Sequence, residues 1–224
     1  MQTTFRVGNR DIRIDMHEPS TTSPHPAMVL MHGAGGNVGL WLDRLTPHLS
    51  TLGVALYAPH YFDRTGTVRA NLAAISDGVH VPQWIDTLNA AMTFAATRPN
   101  ADPKRIALIG ISLGSFLSLA FAAALSASSD PPTRRRIRAL INISGGLIEP
   151  YAAQATRDFP PTLILHGEAD TVVPVTYARS LDKLLTTLAV PHQTNLLPHQ
   201  GHWFDGDAQR QLLLAVAGFL SKNL

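Results

Sequence analysis

The sequence predicts an α/β fold in which helices cover both faces of a mostly parallel sheet. Short apolar runs, typical of buried strands, alternate along all 224 residues with longer segments whose apolar residues recur at helical spacing. No change in composition, internal repeat or long insertion interrupts this alternation, so we expect one domain over residues 1–224 and no large lid domain. Reactive side chains follow several predicted strands, where parallel α/β sheets bind their ligands.

Eight short runs have the composition of strands. Gly8-Asn9 is a turn signal between the first two runs, which we therefore expect to form a hairpin at the edge of the sheet. Most of the others are almost entirely apolar, as expected where both faces of a strand are buried. The eight runs cover residues 5–7, 12–16, 27–31, 54–58, 106–110, 139–143, 162–165 and 193–197.

Five segments between or after these strands are predicted to be helical. The segment at 113–124 carries no charged residue, so we expect a buried helix there, whereas each of the other four has one apolar stripe. Residues 59–82 show no clear period. The four stripes are formed by Leu42, Leu45, Leu49 and Leu52, by Ile85, Leu88, Met92 and Ala95, by Tyr177, Leu181, Leu184 and Leu188, and by Leu213, Val216 and Leu220.

Composition and charge argue against several classes of function. The net charge is +2, and the one basic cluster has no aromatic or further basic residues nearby, so we expect a solvated loop edge and no nucleic-acid partner. The chain has no cysteine, which excludes disulfides, thiolate metal sites and a thiol nucleophile. No His-Glu-x-x-His motif occurs, so neither a metal nor another cofactor is predicted. The basic cluster consists of Arg134, Arg135, Arg136 and Arg138.

Two segments bear on where the protein is found. Residues 1–16 are polar and charged and lack the apolar core of a signal peptide. Residues 106–128 are uncharged and long enough to span a bilayer, but Gly110, Ser112 and Gly114 divide them into a strand, a turn and a helix. We therefore expect a cytoplasmic protein that does not enter a membrane.

Ser112 lies in a Gly-x-Ser-x-Gly motif between the predicted strand at 106–110 and the predicted helix at 113–124. A strand that turns abruptly into a helix brings two backbones close together, and Gly110 and Gly114 remove the side chains that would clash there. The turn leaves the Ser112 hydroxyl above the sheet, at the positive end of a helix. We predict that Ser112 is a nucleophile, and an ordinary corner that happens to contain a serine is the alternative.

A serine hydroxyl reacts only when a neighbouring base takes its proton, and histidine is suited to that task near neutral pH. We expect His202, after the last strand, to be this base, with His199 as the alternative. A carboxylate must then orient the imidazole, and Asp170 follows the preceding strand, with Glu168 as the alternative. The order Ser112, Asp170, His202 is that of nucleophile, acid and base in α/β-hydrolases.

The tetrahedral intermediate of acyl transfer carries an oxyanion, which backbone N–H groups stabilise. The N–H of Leu113, directly after the nucleophile, is one predicted donor. We expect the second donor in the glycine-rich loop after the third strand, at Ala34, with Gly35 as the alternative. This loop fits neither common nucleotide-binding glycine motif, so no phosphate site is predicted. We expect two further histidines beside these loops, His32 and His166, to be scaffold residues.

Five short motifs belong together in this chain. They are His32-Gly33, Tyr61-Phe62-Asp63-Arg64, Asp102-Pro103-Lys104-Arg105-Ile106 before Gly-x-Ser-x-Gly, His166-Gly167-x-x-Asp170 with Val173-Pro174, and Gly201-His202-x-Phe204. With these motifs the chain resembles the dienelactone hydrolase family, within the α/β-hydrolase fold, over nearly its whole length. The resemblance implies that fold and the hydrolysis of a small-molecule ester.

The chain departs from the family pattern at the nucleophile and at the substrate-binding residues. Dienelactone hydrolases carry a cysteine at the position of Ser112 and a glutamate at the position of Gly33, and they hold the substrate carboxylate with arginines. The resemblance therefore implies a serine esterase built on this scaffold. Arg64 is a candidate contact for an anionic substrate, and pairing with Asp63 is the alternative.

Three aromatic residues near the expected site, Tyr61, Phe62 and Trp203, are candidates for lining a substrate pocket, and packing at the bases of loops is the alternative. Without a lid we expect an open site that favours small or short-chain esters. The predicted function is therefore carboxylic-ester hydrolysis through an acyl-serine intermediate. Hydrolysis of lactones or thioesters and acyl transfer would use the same residues, and a catalytically inactive binding protein is the alternative of another class.

Overall fold

One sheet contains the eight strands of the computed structural model, which describes residues 1–20, 24–134 and 136–224. The strands are β1 (Gln2–Val7), β2 (Arg10–His17), β3 (His25–Met31), β4 (Ala55–Pro59), β5 (Ala101–Ile111), β6 (Ala139–Ile143), β7 (Thr162–Gly167) and β8 (His192–Leu197). Their spatial order is β1-β2-β4-β3-β5-β6-β7-β8. The edge hairpin of β1 and β2 is antiparallel and β2 also pairs antiparallel with β4, whereas the remaining pairs are parallel. The predicted α/β-hydrolase sheet is thus confirmed.

Helices cover both faces of this sheet. They are α1 (Val38–Thr51), α2 (Leu72–Ser76), α3 (His80–Ala96), α4 (Leu113–Ser126), α5 (Pro131–Arg134), α6 (Thr176–Thr187) and α7 (Gly206–Asn223). Helices α1 and α7 pack on one face, where strand residues such as Leu30 and Ile109 are buried. Helices α3, α4 and α6 pack on the other face, against residues such as Val29 and Leu108. Since successive side chains of a strand point to opposite faces, each central strand supplies both cores.

Several stretches differ from the sequence-based expectation. Residues 59–82, which show no period, contain a 3₁₀ turn at Tyr61–Arg64 and the short helix α2. Strand β5 begins at Ala101, earlier than predicted. The sequence did not indicate this part of the strand because its residues, which include the partly exposed Asp102 and the exposed Lys104, form no apolar run.

The basic cluster around residue 135 is only partly described. Arg135 lies outside the described residues. The guanidinium of Arg136 binds two side chains of α3, donating to Oδ1 of Asn89 and to Oγ1 of Thr93 over 2.6 Å each. Arg136 is therefore partly buried against a helix. The sequence analysis had instead predicted that it is solvated at a loop edge.

Strand β5 passes directly into α4 through Ser112, whose φ of 53° lies in the left-handed region. A Cβ atom at Gly114 would lie 2.0 Å from the carbonyl oxygen of Met31, and one at Gly110 would lie 2.5 Å from that of Gly114. Both distances are far below van der Waals contact. Glycine is therefore required on both sides of Ser112, and the reason is the close approach of α4 to the ends of β3 and β5.

Helix α4 is buried along most of its length and belongs to the uncharged stretch at 106–128. It packs between the sheet and neighbouring helices, including α3. None of the helices in the described part of the chain combines the length and the apolar character needed to cross a membrane.

The substitution Gly114→Ala tests the close approach of α4 to the sheet. We expect it to lower the free energy of unfolding by about 3 kcal/mol, since the backbone of Met31 cannot yield as a flexible side chain could. The matched control is Gly218→Ala in α7, where no atom lies within 4 Å of the new Cβ and alanine should stabilise the helix by about 0.5–1 kcal/mol. Urea denaturation measures both, and equal effects of the two substitutions would contradict the proposed packing.

Candidate active site

Side chains from three loops meet at the carboxyl edge of the sheet. Ser112 follows β5, Asp170 follows β7 and His202 follows β8. The imidazole of His202 lies between the other two, with Nδ1 2.8 Å from Oδ2 of Asp170 and Nε2 3.0 Å from Oγ of Ser112. A carboxylate only accepts hydrogen bonds, so Nδ1 carries the proton and Nε2 is left to accept the Ser112 hydroxyl. These contacts would allow the three side chains to act as an acid, a base and a nucleophile in series.

The carboxylate of Asp170 is held by the turn that follows it. The N–H groups of Val172 and Val173 each donate to Oδ1 over 2.8 Å. The Asp170 side chain has no exposed surface. Glu168, the alternative acid, is exposed and pairs with Arg179 over 3.3 Å, so it takes no part in the series.

Backbone contacts fix the loop of His202 against the loop of Asp170. The N–H of Ala169 donates to the carbonyl oxygen of Gln200 over 2.9 Å. A Cβ at Gly167 would lie 2.3 Å from that same carbonyl oxygen, so the two loops approach as closely as glycine permits. The pairing of β7 with β8 thus continues into the loops and sets the distance between acid and base.

Ser144, which sequence reasoning missed, supports His202 from the end of β6. Its hydroxyl donates to the carbonyl oxygen of His202 over 3.2 Å, and its φ of 52° is rare outside glycine. Its position directly after an apolar strand was the available signal. His199, the alternative base, is exposed, and the ring that contacts both Asp170 and Ser112 is that of His202.

Ser112 and His202 line a cavity of about 280 Å³. Trp203 lines this cavity with a side chain that is 55% exposed, and its ring meets the edge of the His202 ring with centroids 5.0 Å apart. Trp41 forms a buried part of the wall, 6.5 Å from the ring of Trp203. The other lining residues are Gly33, Ala34, Gly35, Asn37, Leu40, Arg69, Ser112, Val172 and His202.

Two backbone N–H groups beside this cavity are available to a ligand. Among the described residues, neither the N–H of Leu113 nor that of Ala34 has a hydrogen-bond acceptor. Leu113 begins α4, so its N–H lies at the positive end of that helix. Ala34 lies on the cavity wall, and its carbonyl oxygen accepts the N–H of Ala70, which anchors the loop. Gly35 lines the same cavity and remains the alternative donor.

Tyr61 does not reach the cavity. Its side chain is fully buried, and its hydroxyl donates to the carbonyl oxygen of His32 over 2.8 Å. The two rings stack with centroids 4.1 Å apart, and burial lowers the pKa of His32 to about 4, so that imidazole is neutral at working pH. Tyr61 therefore supports the loop that carries Ala34, which corrects its assignment as a substrate contact.

Phe62 is also buried and lines a different cavity. Its ring meets the His32 ring edge to face, 4.8 Å apart, and packs on Trp84. It borders a neighbouring cavity of about 430 Å³, together with Arg13 and Asp63. That cavity is the larger of the two, but it contains none of the three reactive side chains. Phe62 is therefore a packing residue relative to Ser112, and its assignment to the substrate pocket is corrected.

Arg64 lies at the β1–β2 hairpin and not beside Ser112. Its guanidinium approaches Gly8 and donates to Oδ1 of Asn9 over 3.4 Å. The alternative pairing with Asp63 is also wrong, because Arg13 occupies that carboxylate with contacts of 2.8 and 2.9 Å. The arginine that does line the cavity is Arg69, in the segment without a clear period, where sequence reasoning had no signal to select it.

Other histidine–carboxylate pairs lie outside this site. His60 is 2.8 Å from Asp15, and His192 is 3.3 Å from Asp182. Each consists of one histidine and one carboxylate, and among the described residues neither ring contacts a serine hydroxyl as the His202 ring does. Within the described part of the chain, no three His, Cys, Asp or Glu side chains are grouped as metal ligands would be.

The sequence profile of the dienelactone hydrolase family matches residues 14–217, a span that includes all three reactive residues. The chain belongs to the dienelactone hydrolase family. At the position where dienelactone hydrolases carry glutamate, a Cβ on Gly33 would lie 3.4 Å from Cβ of Ser112. A side chain at position 33 would therefore lie against Ser112. In this chain Gly33 leaves the space beside Ser112 unfilled. A search of curated proteins finds no match to the chain.

Solved structures share the fold at low sequence identity. The chain superposes with a TM-score of 0.80 on the dienelactone hydrolase-like promiscuous phosphotriesterase P91 from metagenomic libraries, at 20% identity, covering 100% of this chain and 97% of that one. Est1E from Butyrivibrio proteoclasticus gives a TM-score of 0.78 at 15% identity and coverages of 99% and 98%. A putative dienelactone hydrolase from Klebsiella pneumoniae gives 0.80 at 15% identity, with the same coverages. As a member of the dienelactone hydrolase family, the chain is a hydrolase.

Proposed function

We propose that the protein is a serine carboxylic-ester hydrolase that acts on small or short-chain esters through an acyl-serine intermediate. The observation that carries the proposal is the series of contacts from Asp170 through His202 to Ser112, at 2.8 and 3.0 Å. These side chains are chemically matched to the steps of acyl transfer, and Ser112 and His202 line a cavity that has two available N–H groups beside it.

Acylation begins when Ser112 Oγ attacks the ester carbonyl carbon and His202 Nε2 takes the hydroxyl proton. Asp170 stabilises the imidazolium that forms and keeps its ring in the reactive orientation. The carbonyl oxygen becomes an oxyanion, and the N–H groups of Leu113 and Ala34 donate to it. When the tetrahedral intermediate collapses, His202 returns the proton to the leaving alkoxide, so the alcohol departs neutral and Ser112 remains acylated.

Deacylation repeats these steps with water. His202 Nε2 removes a proton from the water as its oxygen attacks the acyl carbon, and the same two N–H groups hold the second oxyanion. Collapse of this intermediate breaks the bond to Ser112 Oγ, which takes the proton back from His202. The acid is released and the enzyme is restored, so no cofactor is required.

The shape and lining of the cavity support small substrates. Its volume of about 280 Å³ and its open mouth suit a short acyl chain or a single ring beside Trp41 and Trp203. Lactones, thioesters and acyl acceptors other than water could use the same groups. The contact between His202 and Ser112 favours a catalyst over a binding protein of another class, since a binder has no need of an activated serine.

The triad roles are tested by kinetics with p-nitrophenyl acetate. We expect Ser112→Ala, His202→Ala and Asp170→Asn each to lower kcat/KM by about 10³-fold or more, because each removes one member of a cooperating unit. The control is Ser221→Ala on the exposed side of α7, whose hydroxyl bonds only its own helix and whose loss should leave the rate unchanged.

Two results would contradict this proposal. A Ser112→Ala variant that keeps the wild-type rate would exclude the serine mechanism. A correctly folded wild-type protein that turns over none of a series of p-nitrophenyl esters, lactones and thioesters would favour a binding function instead.

Arg69 leads to a prediction about substrate charge. It is exposed at the cavity wall and has no ion-pair partner in the described part of the chain, so it is available to an anionic group of the substrate. We expect Arg69→Gln to lower kcat/KM for p-nitrophenyl hydrogen succinate relative to p-nitrophenyl butyrate by about fivefold, as for an exposed ion pair worth about 1 kcal/mol. Arg64→Gln is the matched control and should leave this ratio unchanged, whereas an effect of Arg64→Gln alone would restore the assignment made from the sequence.

A further inference from the structure

His166, a histidine outside the proposed relay, contacts the acid. It lies near the end of β7 with no exposed side-chain surface. Its Nε2 is 2.8 Å from the carbonyl oxygen of Val173 and 3.3 Å from Oδ2 of Asp170. Both of these oxygens can only accept, so Nε2 carries a proton, which it donates to Val173 while its N–H dipole lies close to the carboxylate.

The environment of the other ring nitrogen of His166 indicates that this residue does more than fill space in the core. Nδ1 is buried and has no hydrogen-bond partner among the described residues. Burial lowers the pKa of this imidazole, so the ring is neutral and Nδ1 is a bare acceptor. An unpaired buried acceptor costs stability that an apolar side chain of similar size would avoid. We attribute the offset of this stability cost to the contacts of Nε2–H with Val173 and Asp170.

The same N–H lies beside the Asp170 carboxylate. Oδ1 accepts the two N–H groups of the Val172–Val173 turn, while Oδ2 accepts from His202 Nδ1 and has His166 Nε2 at 3.3 Å. His166 thus approaches the same oxygen that orients the base. Through its hydrogen bond to Val173, His166 also stabilises the turn whose N–H groups bind Oδ1 of Asp170.

We propose that His166 is a positioning residue, which fixes Oδ2 of Asp170 through its Nε2–H and moderates how strongly that oxygen holds the His202 imidazolium. The inference rests on the proposed function of the Ser112, Asp170 and His202 series. A carboxylate oxygen that faces two N–H dipoles is a weaker base than one that faces a single N–H dipole. Loss of the His166 donor therefore strengthens the attraction for the imidazolium, and His202 keeps its proton to a higher pH.

Few other charges act on this pair. The ionisable groups that face His166 are Asp170 and His202. Glu168, on the same loop, is engaged with Arg179 at the surface. A change in the pH dependence on substitution of His166 therefore reports on the series itself.

The test compares His166→Met, which fills the space without a donor, with His166→Gln, whose amide can place an N–H near the position of Nε2. We expect kcat/KM for p-nitrophenyl acetate to rise with pH along an acidic limb. We expect the midpoint of that limb to move up by about half a pH unit in His166→Met and by less than about 0.2 in His166→Gln. The maximal rate of His166→Met should fall by less than about tenfold, because the two backbone donors to Oδ1 remain.

Either of two kinetic results would overturn the proposal. One is a His166→Met profile with an unmoved limb, whatever its stability or rate, which would assign His166 a structural role only. The other is an equal shift in both variants, which would show that the donor is not what matters. If the wild type itself hydrolyses no ester, the proposed function fails, and the His202 titration followed by ¹⁵N NMR in the same variants replaces the kinetic readout.

A measurement on the wild type does not depend on the folding of any variant. The ¹⁵N chemical shifts of His166 should show a neutral ring protonated at Nε2 and bare at Nδ1 at pH 7 and above. A ring protonated at Nδ1, or at both nitrogens, would overturn the proposal because the proposal requires a neutral ring that carries its proton on Nε2.

Discussion

The close approach of helix α4 to the ends of β3 and β5 is the constraint on which the site depends. Only glycine fits at 110 and 114, where added carbon atoms would meet backbone at 2.5 and 2.0 Å. The tight turn between them keeps Ser112 in a left-handed conformation and raises its hydroxyl to the rim of the sheet. The same turn aligns the first N–H of α4 beside that hydroxyl. Packing deep in the core thus fixes the geometry at the surface.

The remaining parts of the site come from strands next to β5. Since β6, β7 and β8 are parallel neighbours, the loops that follow them lie side by side at one rim. Ser144 holds the backbone of His202, and the Ala169–Gln200 bond links the loops of base and acid. Residues far apart along the chain therefore meet through short backbone contacts, and each reactive side chain is supported by a neighbouring strand.

The sequence predicted the strands, the glycine turn and the three positions that the structure brings together, because each has a local signal. An apolar run, a Gly-x-Ser-x-Gly motif and a strand followed by His or Asp can be recognised without distant contacts. The roles of Tyr61 and Arg64 were wrong because adjacency in sequence does not say which way a side chain of a 3₁₀ turn points. Arg69 and the Asp170 contact of His166 carry no local signal, since both arise from folding of loops onto other strands.

The most direct test of the account is covalent labelling with a serine-directed fluorophosphonate, followed by intact mass measurement and peptide mapping. If Ser112 is the nucleophile that we propose, it should take up one phosphonyl group and release fluoride, with all of the label on the peptide that contains Ser112. The label should be absent from Ser112→Ala and should form much more slowly in His202→Ala. Full labelling of Ser112→Ala, or labelling of the wild type at another residue, would contradict the account.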